Sequence, residues 1–147
     1  MFDPCTLTIS VEADSGCRVA DKPAWACRAE SAFTDDFLGD YLPPDVTENQ
    51  AQMMAIIRVL EYAMRTQEFI GFYSVLIRSS SKYAVSTFRK GKSSENKELV
   101  ERFLEMKDRL GQLKCDVALE RVSPVALDNS IYGGAFRDDD ETEAATC

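Results

Sequence analysis

Three consecutive serines, Ser79, Ser80 and Ser81, follow the apolar run "VLIR" and lead into "KYAV". The end of a strand is where an α/β sheet usually presents its chemistry. Three roles suit serines there: a phosphate-gripping turn, a helix cap, or the place of a reactive group that has been lost. A phosphate loop needs glycines and a lysine at fixed spacing, and "RSSSKY" has neither pattern. The chain has no histidine, which removes the commonest general base and any Ser-His or Cys-His nucleophile pair. Its five cysteines are scattered and never spaced CxxC. Free thiols are expected, and neither a zinc site nor any other cofactor is. Cations gather in "KYAVSTFRKGKSSENK", which holds Lys82, Arg89, Lys90, Lys92 and Lys97. A solvated basic loop and a phosphate-binding surface are both compatible with it.

The 147 residues suit one domain, and at that size about two-thirds of the unfolded surface can be buried. A 45% hydrophobic fraction and a mean hydropathy of −0.24 fit a globular chain. No apolar run approaches the ~20 residues that span a bilayer, and "MFDPCTLTIS" does not read as a secretory leader. Cytoplasm or nucleus is therefore the expected location, with no membrane and no small-molecule substrate implied. The net charge of −8 weighs against autonomous nucleic-acid binding, which rests mostly on phosphate neutralisation. Part of that charge belongs to the tail "RDDDETEAATC". Residues 137–147 are expected to be a disordered acidic tail following a domain over 1–136.

The elements that must position these residues follow from periodicity. "TLTISVEAD" alternates Leu7, Ile9, Val11 and Ala13 with Thr8, Ser10, Glu12 and Asp14, the pattern of a half-buried strand. "AWACRAE" and "SAFTDDFLGDYL" read as two further strands, making an antiparallel meander. Trp25, Phe33, Phe37 and Tyr41 fall in this region, as core residues or as interface anchors. "TENQAQMMAIIRVLEYAMRTQ" opens with a Thr47–Gln50 capping box and carries a stripe of Met53, Met54, Ile57, Leu60 and Met64, which predicts a core-facing helix. "FIGFYSVLIR" predicts a strand covered on both faces. A short helix ends at Gly91, and a longer one follows with Leu99, Phe103, Leu104, Leu110 and Leu113 inward. "CDVALERV" closes the strands, and "SPVALDNSIYGGAF" is a loop with a short helix strained by Gly133 and Gly134. The expected order is β-β-β-α-β-α-α-β-α, three antiparallel strands followed by crossover helices that imply parallel pairing.

This order, with four short matches along it, resembles the ribonuclease H family. "EADSGC" is similar to the family's T-D-G-S turn after the first strand, and "TENQAQMMAIIRVLEYA" follows its T-N-x-x-x-E-x-x-A-x-x-x-A-L helix. "IRSSSKY" stands where the family has x-T-D-S-x-Y, and "VSPVALDNSIYGGAF" ends like its last segment. The resemblance covers about residues 6 to 136. It implies an α/β, ribonuclease H-like fold: a five-stranded mixed sheet with helices on both faces.

In that family four carboxylates hold two divalent ions that cut the RNA strand of an RNA–DNA hybrid. Two ions ~4 Å apart stabilise the attacking and leaving oxygens together, and magnesium takes hard oxygen ligands. By resemblance Asp14 stands at the first carboxylate position, Gln52 at the second, Ser80 at the third and Tyr132 at the fourth. Three of the four are neutral. Glu12, Glu48 and Asp128 are the acids that could rebuild a site, and otherwise Asp14 serves as a turn residue. The implied function is a non-enzymatic ribonuclease H-like domain with no catalytic and no metal-binding residues. Such a domain serves as a protein–protein interaction or scaffold module in an RNA-processing or small-RNA complex. The alternative is weak, sequence-independent RNA or hybrid binding through Lys82, Arg89, Lys90 and Lys92, and the third reading is a divergent active nuclease.

Overall fold

The computed structural model describes residues 5–19, 21–67, 71–123 and 130–136. Asp128 and the segment 137–147 lie outside the described residues, as do the side chain of Cys17 and Cys147. The chain runs β1 (Thr6–Val19), β2 (Lys22–Glu30), β3 (Asp35–Tyr41), α1 (Glu48–Gln67), β4 (Ser74–Ser79), α2 (Lys82–Lys90), α3 (Lys97–Gln112), β5 (Asp116–Arg121) and α4 (Ser130–Ala135). The five strands form one sheet in the order β3-β2-β1-β4-β5, antiparallel from β3 to β1 and parallel from β1 to β5. The element order and mixed sheet are those expected from the sequence.

The alternation in β1 decides which face is which. Leu7, Ile9, Val11 and Ala13 are buried and join the main core, where the first three each contribute roughly 2 kcal/mol of apolar transfer. Their partners across β2 are Trp25, Cys27 and Ala29, buried on the same face. Helices α1, α2 and α3 cover this face with Met53, Ile56, Leu60, Phe88, Phe103 and Leu110, and the Phe88 and Phe103 rings stack at 4.3 Å. Met54 and Met64 pack against this core half-buried, so the methionine stripe is packing.

Several sequence expectations need correction. "FIGFYSVLIR" is not a strand covered on both faces: β4 begins only at Ser74, and its residues alternate between buried and half-buried. The opposite face is roofed over only part of its area by the short α4, so every second residue of β4 stays in partial contact with solvent. In α3 Leu104 is exposed, as is Leu113 just past its end, and the inward positions include Val100 and Met106. The apolar residues of this helix outnumber the positions on its buried stripe. Phe33 is 66% exposed because the chain turns at residues 31–34 before β3 begins. There Ser31 Oγ accepts the N–H groups of Phe33 and Thr34 at 3.0 Å and holds the turn.

Helix α4 docks through glycine. Ile131, Tyr132 and Phe136 cluster with Ala24 and Ala26 of β2 on the second face. A Cβ on Gly134 would lie 2.3 Å from Phe37 Cδ1, and one on Gly39 would lie 2.8 Å from Trp25 O and 2.9 Å from Ala135 Cβ. The second glycine of "GG" therefore serves close approach, which offsets its poor helix propensity. Gly133 meets nothing within 4 Å.

Two predictions follow from this packing. Gly134→Ala should destabilise the protein by about 2 kcal/mol through overpacking. Gly133→Ala should be neutral or stabilising by up to about 1 kcal/mol. Urea denaturation of both variants checks this, and equal effects would contradict the docking geometry. Separately, burial pushes the Cys27 thiol up to about 12, with the charge of Asp36 adding to it. The unfolded chain releases that proton near the ordinary value of 9.0. Between those values the folded state holds a proton the unfolded state has lost, so stability falls as pH rises above about 9. Cys27→Ala should flatten the decline in unfolding free energy between about pH 9 and 10.5; parallel declines in parent and variant would contradict it.

Candidate functional site

The candidate site forms where β1, β4 and α1 meet. Parallel pairing runs up to Val11 opposite Ser79, and one step further sets Ser80 beside Glu12. The Ser80 hydroxyl donates to Glu12 Oε1 at 3.0 Å. Ser79 is buried and its Oγ accepts the N–H of Ser81. Ser81 caps α2, its side chain accepting the N–H of Ala84 at 3.0 Å. Each of the three serines thus has a different task.

On the other side of β1, pairing with β2 is regular to Asp14 opposite Ala24 and then shifts. Asp14 Oδ2 accepts the N–H of Gly16 at 3.0 Å, the turn-stabilising role its side chain suits. Helix α1 enters here. Thr47 and Gln50 form the expected capping box, each backbone N–H held by the other's side chain at 3.0 and 3.1 Å. Glu48 Oε1 accepts the N–H of Ser15 at 3.1 Å. One turn on, the buried Gln52 donates its amide to Ala13 O and to Glu48 Oε2, both at 3.0 Å. The arrangement ties the helix start to the end of β1 through hydrogen bonds.

The four positions singled out in the sequence fall around this end of the sheet. Gln52 meets Glu48 and the β1 backbone, and Ser80 meets Glu12. Tyr132 turns its ring into the α4–sheet cluster, near-parallel to Phe136 with centroids 6.4 Å apart. Its cluster partners Ala24 and Ala26 stand opposite Asp14 and Glu12. The donor set does not fit a two-ion centre. Gln52, Ser80 and Tyr132 bring no carboxylate to this end of the sheet, and both Glu48 oxygens already accept N–H groups. Among the described residues no three His, Cys, Asp or Glu side chains are grouped to hold a metal ion.

The basic residues separate into two sets. Lys82, Arg89 and Lys90 line a cavity of about 590 Å³ with Val85, Ser86 and Arg121, whereas Lys92 is not in its lining. The Arg89 guanidinium donates to Leu119 O. Sequence reading missed Arg121. No local pattern pointed to it, since its place follows from the parallel register that sets Arg121 opposite Ser79.

Comparison with solved structures now bears on this geometry. Ribonuclease H1 of Halobacterium salinarum superposes with a TM-score of 0.67 at 17% identity, over 90% of this chain and 98% of that one. LC11 ribonuclease H1, solved in complex with an RNA/DNA hybrid, gives 0.69 at 13% identity over 92% and 98%. The N-terminal ribonuclease H domain of a Mycobacterium tuberculosis protein gives 0.59 at 14% over 91% and 98%. The chain has the ribonuclease H fold. No protein-family model and no curated protein matches it. At these identities the likeness is one of fold, and the ribonuclease H sheet accounts for why positions distant in sequence converge at the ends of β1 and β4.

If hydrogen bonding has replaced charge here, restoring a carboxylate should cost stability. Gln52→Glu removes the donor to Ala13 O and sets a second anion against Glu48, so a loss of about 2 kcal/mol is expected. Chemical denaturation measures it, and a change below about 0.5 kcal/mol would show that the network is incidental.

Proposed function

We propose that this chain is a catalytically silent ribonuclease H-fold module that acts by binding a protein partner, as a scaffold in an RNA-processing or small-RNA complex. One observation carries the reading: Gln52 and Ser80, which by resemblance stand at carboxylate positions, donate hydrogen bonds to the neighbouring acids Glu48 and Glu12. Groups that would share a metal cluster instead satisfy one another. Tyr132 at the fourth position serves packing. The RNA setting is inferred from the resemblance, and cytoplasm or nucleus is the proposed location. Among the described residues no helix is long and apolar enough to cross a membrane.

A second reading, weak binding of RNA or an RNA–DNA hybrid, is favoured by the gathering of Lys82, Arg89 and Lys90 on one cavity. A neighbour of the same fold was solved with such a hybrid bound.

Incubation with a labelled RNA–DNA hybrid in Mg²⁺ or Mn²⁺ tests the main reading. No cleavage above a buffer control is expected. Cleavage that needs the metal and is abolished by Asp14→Asn or Glu12→Gln would overturn it. Fluorescence anisotropy of the same hybrid addresses the second reading, for which binding should be micromolar and fall steeply with salt.

A further inference from the structure

We propose that the cavity between α2 and the end of β5 receives an acidic peptide segment of a protein partner. The inference rests on the protein-binding reading above and names the surface and the chemistry it selects. Lys82, Val85, Ser86, Arg89 and Lys90 recur at helical spacing and form one face of α2, and Arg121 at the end of β5 adds a fourth cation. Among the described residues no acid lines the cavity. The nearest candidate in sequence, Glu120, alternates to the other face of the sheet and pairs with Arg78 at 3.1 Å. Four cations thus converge on about 590 Å³ in a chain whose net charge is −8. That local reversal of sign selects an anionic partner.

The lining favours carboxylates on a peptide over a nucleic-acid strand. Among the described residues it contains no aromatic ring on which a base could stack. The aromatic residue of α2 nearest to hand, Tyr83, has its hydroxyl engaged by the Asn96 side-chain amide at 2.9 Å. Two residues before Lys82, Ser80 holds the carboxylate of Glu12, and Asp14 lies beyond it on the same strand. A phosphate chain running off this end of the cavity meets those anions, whereas a short acidic peptide ends before them. Arg89 is oriented by the Leu119 carbonyl and retains further N–H donors for a carboxylate. Val85 offers an apolar floor for one aliphatic side chain.

The test uses the full chain and a fluorescein-labelled peptide of four glutamates around one leucine, read by anisotropy at about 50 mM salt, where exposed charges are less screened than at physiological strength. Saturable binding is expected, with none for the corresponding lysine peptide. Lys90→Glu and Arg121→Glu should each weaken it about tenfold or more, while Lys107→Glu on α3 should change it less than about twofold. Thermal melts matching the parent establish that both variants fold, and Lys90 is exposed, so its reversal leaves the core intact. Absence of binding, indifference to both reversals, or displacement of the peptide by an RNA–DNA hybrid that binds more tightly would overturn the proposal. Hybrid cleavage by the parent protein would overturn the functional reading itself. Silence towards the peptide without cleavage removes only this docking site.

Discussion

Strand β1 is hydrogen-bonded on both edges, antiparallel to β2 and parallel to β4, and its inward residues are buried in the main core. Slipping this strand by one residue would exchange Leu7, Ile9, Val11 and Ala13 for Thr8, Ser10, Glu12 and Asp14 on the core face. The core therefore fixes the register, and the register fixes where every candidate residue stands. Glu12 meets Ser80 because Val11 pairs with Ser79. Arg121 reaches α2 because β5 runs parallel to β4 and stops level with it.

Within that fixed frame, the end of the sheet is held together by hydrogen bonds between neutral donors and acids. A cluster of carboxylates repels itself unless cations are bound between its members. Here the amide of Gln52, the hydroxyl of Ser80 and the backbone N–H groups of Ser15 and Gly16 are donors set against acids. Such pairs need no ion to be compatible with folding. In α4, Tyr132 and the close approach at Gly134 anchor the helix to the sheet.

Much of the fold was legible in the sequence, since period-2 and period-3.6 patterns report burial directly. The β1 alternation, the Thr47–Gln50 box and the Gly91 stop each appear where the pattern put them. Errors arose where apolar content exceeded buried area, as at Leu104 and Leu113. Hydrophobicity states what a residue tolerates, whereas the layout of neighbours states what it receives. The candidate site was legible position by position but not in its contacts. That Ser80 meets Glu12, or that Arg121 joins Lys82, Arg89 and Lys90, depends on strand order, and no local pattern encodes strand order.

We propose that the hydrogen-bonded junction at the ends of β1 and β4 does not take up a pair of ions. Anomalous diffraction from crystals soaked in manganese tests it most directly. The account predicts no ordered manganese among Glu12, Asp14, Glu48, Gln52 and Ser80. Two anomalous peaks ~4 Å apart at that junction would contradict it.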